Sequence, residues 1–416
     1  FFFQQKTAYE MLRSLVGSEM CIRDRNNTIV DNTAKTAGGG IYCYYSSPTI
    51  MKNTVNYNSA PGNKGSRGGI YCSSSSPIIA NNTVRGNSTL GLGGGIRDHY
   101  SSPLITGNVI SGNTALGGGG IYSNNSSSMI VNNAILGNTT AVSSGPTAGG
   151  GICCSSSSLI ILNNTVIGNS ANRGGALACY SSSLTLANTI IAFNSSGITI
   201  SEAETLAMRC NCVYGNAEYD YSGVADPTGR DGNLTIDPEV PGWTYGRWRI
   251  QTNSPCVGAG DNASLPLDTA DLDGDGDTTE LVPFDVDGQE RIQGQDGTVD
   301  IGADESDGMV QPEGPNTIIR VRSDGNDSND GASWILAKRT VQAGINAASA
   351  LGGEVWVKAG TYHERVSLGV FTHIYGGFRG TEASRTARNF QMNTTILDGQ
   401  QGGSVVTIQG VGFRVS

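Results

Sequence analysis

The sequence predicts an all-β solenoid, a parallel β-helix, on three observations: a unit repeated six times, strand-like runs of only a few residues in each unit, and asparagines at fixed places. The segments GGGIYC, GGIYC, GGGIRD, GGGIYS, GGGICC and GGALAC set an apolar anchor at Ile41, Ile70, Ile96, Ile121, Ile152 and Leu177, spaced 29, 26, 25, 31 and 25 residues apart. A serine pair follows at the fifth and sixth positions, as in Ser46 and Ser47 or Ser157 and Ser158. The ninth position is apolar throughout: Ile50, Ile79, Ile105, Ile130, Ile161 and Leu186. Asparagine stands at the twelfth position (Asn53, Asn82, Asn108, Asn133, Asn164) and at the seventeenth (Asn58, Asn87, Asn113, Asn138, Asn169, Asn194). In the sixth unit Asn188 comes one place early, which reads as a slip of one residue.

A unit this short cannot bury its own apolar face. Identical coils stacked in parallel at about 4.8 Å bury it together. Glycine before each anchor is expected to supply the backbone freedom of a sharp corner. The asparagines are expected to tolerate the left-handed region and to hydrogen-bond their copies above and below as a structural ladder. Leucine-rich repeats lack their consensus here, and propeller blades need longer units.

Composition excludes other classes. With 59 glycines in 416 residues, 15% charged residues and no strict three-residue glycine period, the chain is neither disordered nor collagen-like. A net charge of −10 offers nucleic acid no basic footprint. No apolar run is long enough for a transmembrane segment.

Charge divides the chain. Residues 26–200 hold seven basic and two acidic side chains, residues 201–308 five and 23, and residues 309–416 ten and eight. Residues 1–25 fit none of the repeat pattern and resemble translated sequencing-adapter read-through, so they are read as a non-native scar or disordered tail, with an N-terminal helix as the alternative. Residues 26–257 form the β-helix, about eight coils with a closing segment. Residues 258–315 read as an acidic Asp/Gly-rich loop and linker. Residues 316–416 read as the N-terminal cap and first coils of a second, truncated β-helix: Val341, Ile345 and Ala348 mark a helix face, and Val355–Val357 a strand.

The GGGI and NNTI repeats resemble the right-handed parallel β-helix superfamily of pectate-lyase-like proteins, in particular secreted and surface-exposed bacterial members. The runs LTIDPEV, WRIQTNSPCVGAGD and GTVDIGADE resemble the closing segment of the same proteins. The resemblance implies a right-handed coil and an extracellular or bacterial cell-surface location.

The position two after each anchor reads Cys43, Cys72, Asp98, Ser123, Cys154 and Cys179, a ladder of small side chains turned inward, with the cysteines expected as buried thiols. The position between should face outward. Tyr42, Tyr71, Arg97 and Tyr122, with Tyr44, then make an exposed stripe on which sugar rings can stack, or a tyrosine ladder that only stacks on itself. Arg97, Asp98 and His99 are the one compact catalytic candidate in the coils, where acids are otherwise too few for paired-carboxylate hydrolysis. In DTADLDGDGDTTE, Asp268, Asp271, Asp273, Asp275 and Asp277 crowd oxygen ligands as calcium loops do, or form a solvated acidic linker. Val282 at the twelfth position of the EF-hand template rejects that helix-loop-helix.

The expectation is thus a monomer, or part of a longer multi-domain chain, acting as a glycan-binding or adhesive surface scaffold. Its partner would be a polysaccharide or surface glycan, with calcium as the one cofactor in view. The alternative is a polysaccharide lyase or glycoside hydrolase of the pectate-lyase-like superfamily. Fold alone does not decide between them.

Overall fold

The computed structural model describes residues 23–35, 38–62, 66–140, 149–202, 205–292, 297–308, 315, 317–349, 352–369, 371–408 and 414–415. Each coil contributes one strand to each of three parallel sheets, which contain eight strands apiece among the described residues. The coil that starts at Ile96 shows the plan. Its strands Ile96–His99, Leu104–Thr106 and Val109–Ser111 belong to the three sheets in turn. Ile96 pairs with Ile70 and Ile121, Ile105 with Ile79 and Ile130, and Ile110 with Val84 and Ile135.

These three columns of aliphatic residues fill the interior, and nearly all are fully buried. Each such side chain contributes about 1.5–3 kcal/mol on burial, and only because its copies lie directly above and below. A fourth, two-residue strand per coil (Ser59–Ala60, Ser88–Thr89, Thr114–Ala115, Thr139–Thr140) opens the edge that carries the loops of variable length. Lys64 and residues 141–148 of those loops lie outside the described residues.

The corners follow one rule. In the coil of Ile70, Ser74, Asn81 and Gly86 have φ of 49°, 56° and 62°, and each is followed by a side chain that bonds to its copy in the next coil. The chain thereby turns in a single left-handed residue, and the next side chain receives the backbone N–H that the strands leave over. Asn108 is typical. Its N–H and Nδ2 donate to Asn133 Oδ1, each at 2.9 Å, and Nδ2 also donates to the carbonyls of Ile79 and Thr106. Its Oδ1 accepts from the N–H and Nδ2 of Asn82. A second asparagine ladder runs from Asn32 through Asn58, Asn87, Asn113, Asn138, Asn169 and Asn194 to Asn216.

Three details differ from expectation. The left-handed residue is the one before each ladder asparagine, so the asparagine is there for its amide and not for its backbone. The glycine directly before each of the first five anchors provides room rather than a positive φ: a Cβ on Gly40, Gly69, Gly95, Gly120 or Gly151 would lie 2.5–2.9 Å from a carbonyl oxygen of the next coil, whereas Ala176 holds that place before Leu177. Nor does the sixth unit slip. Leu186 pairs in register with Ile161, and Thr189 takes the ladder place, with its Oγ1 accepting from Asn164 N at 3.3 Å. Asn188 is the left-handed residue there (φ 50°), and its side chain bonds the backbone of Asp261.

Serine forms a third ladder that the sequence did not announce as one. Ser46, Ser75, Ser101, Ser126 and Ser157 each donate a backbone N–H to the hydroxyl of the next serine, ending at Ser182, at 3.1–3.2 Å. From Ser75 onward each hydroxyl turns its own proton to the carbonyl two residues back.

After the last coil the chain returns along the outer face of the third sheet. Val240, Ile250, Cys256 and Ile301 pack there against Ala134, Ile167, Ile190 and Cys212. Within GTVDIGADE, Ile301 and Ala303 lie against the coils, with Ala303 N donating to Thr165 Oγ1. The acids flanking them are buried but partnered: Asp300 accepts from the N–H of Gly258 and of Ser306, and Glu305 pairs with the fully buried Arg291 at 3.1 Å. Burial raises Asp304 and Glu305 to about 8, chiefly by desolvation. Residues 284–292 and 297–305 thus form packed structure within the stretch read as a linker.

Residues 317–408 contain the helix Val341–Ser349, whose Val341, Ile345 and Ala348 are buried against parallel strands. Glu364 caps it, accepting from the N–H groups of Val341 and Gln342. Strands Gly353–Lys358, Gly360–Tyr362 and Val366–Leu368 pair in parallel with Thr372–Phe378, Thr395–Leu397 and Val406–Ile408. Tyr245 OH donates to Glu354 Oε1 at 2.8 Å, joining this unit to the returning segment.

Asn108→Leu leaves the carbonyls of Ile79 and Thr106 and the amide of Asn82 short of partners, and is expected to cost roughly 2–4 kcal/mol in urea unfolding. Thr189→Asn completes the first ladder and is expected to raise the melting temperature.

Candidate functional site

Alternation along the anchor strands puts Tyr42, Tyr71, Arg97 and Tyr122 on the outer face in one column. The Tyr42 and Tyr71 rings stack at 5.0 Å and 8°. The Arg97 guanidinium lies between the rings of Tyr71 and Tyr122, at 5.7 and 5.4 Å from their centroids. The expected exposed stripe nevertheless survives only at its first coil. Tyr42 is 43% and Tyr44 56% exposed, whereas Tyr71, Arg97 and Tyr122 are 7%, 6% and 3% exposed.

The cover comes from the turns that lead into each anchor. Arg67 lies over the Tyr71 ring at 4.7 Å, and Leu92 packs with Tyr122. Gly93 and Gly118, at φ of 75° and 59°, bring the backbone so close that a Cβ would lie 2.6 Å from Arg97 Cβ and 2.5 Å from Tyr122 Cβ. Tyr42 and Tyr44 lie on the outermost described strand of the anchor sheet. Tyr45, a left-handed corner residue that lies outside the alternation of the anchor strand and was not among the expected residues, is 72% exposed and meets Tyr44 edge-on at 4.4 Å. Tyr42, Tyr44 and Tyr45 therefore form one accessible aromatic surface.

The structure does not bring Arg97, Asp98 and His99 to a common point. Asp98 faces the interior, fully buried between Cys72 and Ser123 of the adjoining coils. Its Oδ2 accepts from Ser123 Oγ at 2.8 Å and Ser128 Oγ at 2.6 Å. It is thus held by hydroxyls, and no ion pair reaches it among the described residues. Desolvation raises it to about 6 against the lowering effect of those hydrogen bonds. Arg97 lies on the opposite face of the strand, lowered to about 10 by desolvation. His99 is half-buried beside Tyr100 at 4.3 Å, and desolvation lowers its pKa.

Cys43, Cys72, Cys154 and Cys179 are buried on the inward column, and no disulfide occurs among the described residues. Cys212 and Cys256 meet where the returning segment crosses the third sheet.

In the acidic loop the ends are pinned by an antiparallel bridge between Leu267 and Leu281, with Asp268 N donating to the Glu280 carbonyl at 2.8 Å. Carboxylate oxygens of Asp268, Asp273 and Glu280 lie within 4.8 Å of one another, as do those of Asp271, Asp273 and Asp275. Asp277 belongs to neither group, and its Oδ1 accepts from Thr279 N and Oγ1. Glu280 was missed because it lies outside the alternating aspartates, and only the bridge at the loop's base brings it in.

A carboxyl whose pKa is higher folded than unfolded favours the fold while protonated and loses that contribution as pH rises from about 4 to about 6. Asp98→Asn should therefore exceed the parent in stability by roughly 1–3 kcal/mol at pH 8, with the gap closing toward pH 4, in urea unfolding across that range.

Residues 13–135 and 68–237 match the profile of the right handed beta helix region, intervals that together take in more than half of the chain. No curated protein matches. Among solved structures, a PL6 family alginate lyase, AlyGC, and a mutant of it are similar at 13% identity, with TM-scores of 0.24 and 0.26. Each alignment covers 85% of this chain and 53% of the other, so the chain spans about half the length of those structures. The repeated parallel coils and the profile match agree: the chain belongs to the right handed beta helix family.

Proposed function

We propose that this chain is a glycan-binding or adhesive scaffold, exported to the bacterial cell surface, whose partner is a polysaccharide or surface glycan. The observation that carries this reading is the accessible surface of Tyr42, Tyr44 and Tyr45, in which the Tyr44 ring meets both of the others, at one end of a rigid sheet. Aromatic faces with polar hydroxyl tips suit the apolar faces and hydroxyl rims of sugar rings. Tyr71 supports the platform from beneath, and its stack with Tyr42 fixes the ring without blocking its outer side. A rigid platform loses little conformational entropy on binding, which favours a repeated polymer.

The second reading is a polysaccharide lyase or glycoside hydrolase. What favours it is Asp98, a carboxyl held at about 6 on the same strand as Arg97 and His99. What weighs against it is that the Asp98 side chain lies inside the coil, out of reach of a polymer on the outer face.

Retention of the chain on immobilised uronic and neutral polysaccharides, with released unsaturated or reducing ends recorded, separates the two. Tyr42→Ala with Tyr44→Ala should weaken retention about tenfold or more, with the melting temperature nearly unchanged because both rings are exposed. Tyr122→Ala should lower the melting temperature instead. Release of product that Asp98→Asn abolishes would replace the scaffold by the enzyme, and unaltered retention in the tyrosine variant would remove the platform.

A further inference from the structure

The loop 268–280 contains an unusual donor set. Asp268 is 1% exposed, and although its Oδ2 accepts from Leu272 N at 2.7 Å, its Oδ1 is buried without a hydrogen-bond partner among the described residues. Glu280 likewise has a buried Oε1 that nothing satisfies. Burying a carboxylate oxygen with no donor is costly, and the two groups, of the same charge and with carboxylate oxygens within 4.8 Å of each other, add repulsion to desolvation. No lysine or arginine lies between Arg249 and Arg291 in sequence, and neither of those pairs with these acids: Arg249 is bound to Asp287 and Asp304, and Arg291 to Glu305.

A cation placed among these oxygens removes both costs at once. We propose that Asp268, Asp273 and Glu280 hold one calcium ion, with Asp271 and Asp275 on the solvent side of the same cluster. The donors are carboxylate oxygens alone, without imidazole or thiolate, which selects a hard cation. A flexible surface loop with glycines at 274 and 276 suits the higher and less regular coordination of calcium over the strict octahedron of magnesium. The ion would close a loop whose base is already fixed by the Leu267–Leu281 bridge and by Val282 N donating to the Pro266 carbonyl, with Leu265 and Val282 buried at its root. The ligand set thus differs from the five alternating aspartates the sequence suggested: Glu280 enters and Asp277, engaged with Thr279, leaves.

The test is isothermal titration of the whole chain with calcium chloride, repeated with magnesium chloride. The parent should give single-site heat with calcium and weaker binding with magnesium. Asp268→Asn and Glu280→Gln should each weaken calcium binding by about tenfold or more, while Asp277→Asn stays within about twofold of the parent. Asp273→Asn, a change at an exposed side chain, should weaken it as well, and decides the matter if the Asp268 variant fails to fold. Calcium should also raise the melting temperature of the parent and of Asp277→Asn, and not that of Asp273→Asn. No calcium heat in the parent, equal binding of magnesium, or an Asp277→Asn loss as large as that of Asp273→Asn would overturn the proposal.

Discussion

Everything else in this molecule depends on how the corners of the coil are satisfied. A parallel coil made of three- to five-residue strands turns sharply three times in each circuit, and each turn takes one backbone amide out of the strand ladder. Here each turn consists of one left-handed residue followed by serine, asparagine and asparagine in order, whose side chains lie at the interior edge and accept that amide from the coil next to it. Because the bonds join residue n of one coil to residue n of the next, they also fix the register of the aliphatic columns. A slip would break every column at once, which is why Thr189 keeps its place although its hydroxyl is the poorer acceptor.

The same stacking decides what the surface can present. Outward side chains of neighbouring coils are brought into contact in a column, so they first interact with each other. Arg97 between two tyrosine rings is a stable interior to that column, and the glycine turns at 93 and 118 press down on it. A ligand surface therefore opens where the column ends and the cover is missing, at Tyr42, Tyr44 and Tyr45. Inward side chains face a stricter requirement. Asp98 is tolerated among cysteines and serines because Ser123 and Ser128 supply hydroxyl donors, at the expense of a raised pKa.

The fold was legible because the repeat puts equivalent residues at equivalent distances from Ile41, Ile70, Ile96, Ile121, Ile152 and Leu177. Inward burial at the ninth position and the asparagine contacts follow from counting. Three features were not legible for a common reason: they depend on groups distant along the chain. The burial of Tyr71 and Tyr122 is caused by Arg67 and Leu92, which no alternation rule places. Residues 297–305 pack on the third sheet because Ile301 and Ala303 meet coils more than a hundred residues earlier. Glu280 reaches the acidic loop through a bridge that hydropathy does not show. The serine ladder is a different case, since the repeated pair is visible in the sequence but its spacing alone assigns it no hydrogen-bond role.

The central claim is that side-chain ladders at the corners, as much as the strands, hold coil to coil. Amide hydrogen exchange followed by NMR at Ser101, Asn108 and Asn113 tests it most directly, with Ile105 and Ile110 in the adjacent strands as the reference. The ladder account predicts corner amides that exchange as slowly as those of the strands and open with them as one unit. Corner amides that exchange freely while the strand amides stay protected would contradict it, and would leave the aliphatic columns as the sole force that stacks the coils.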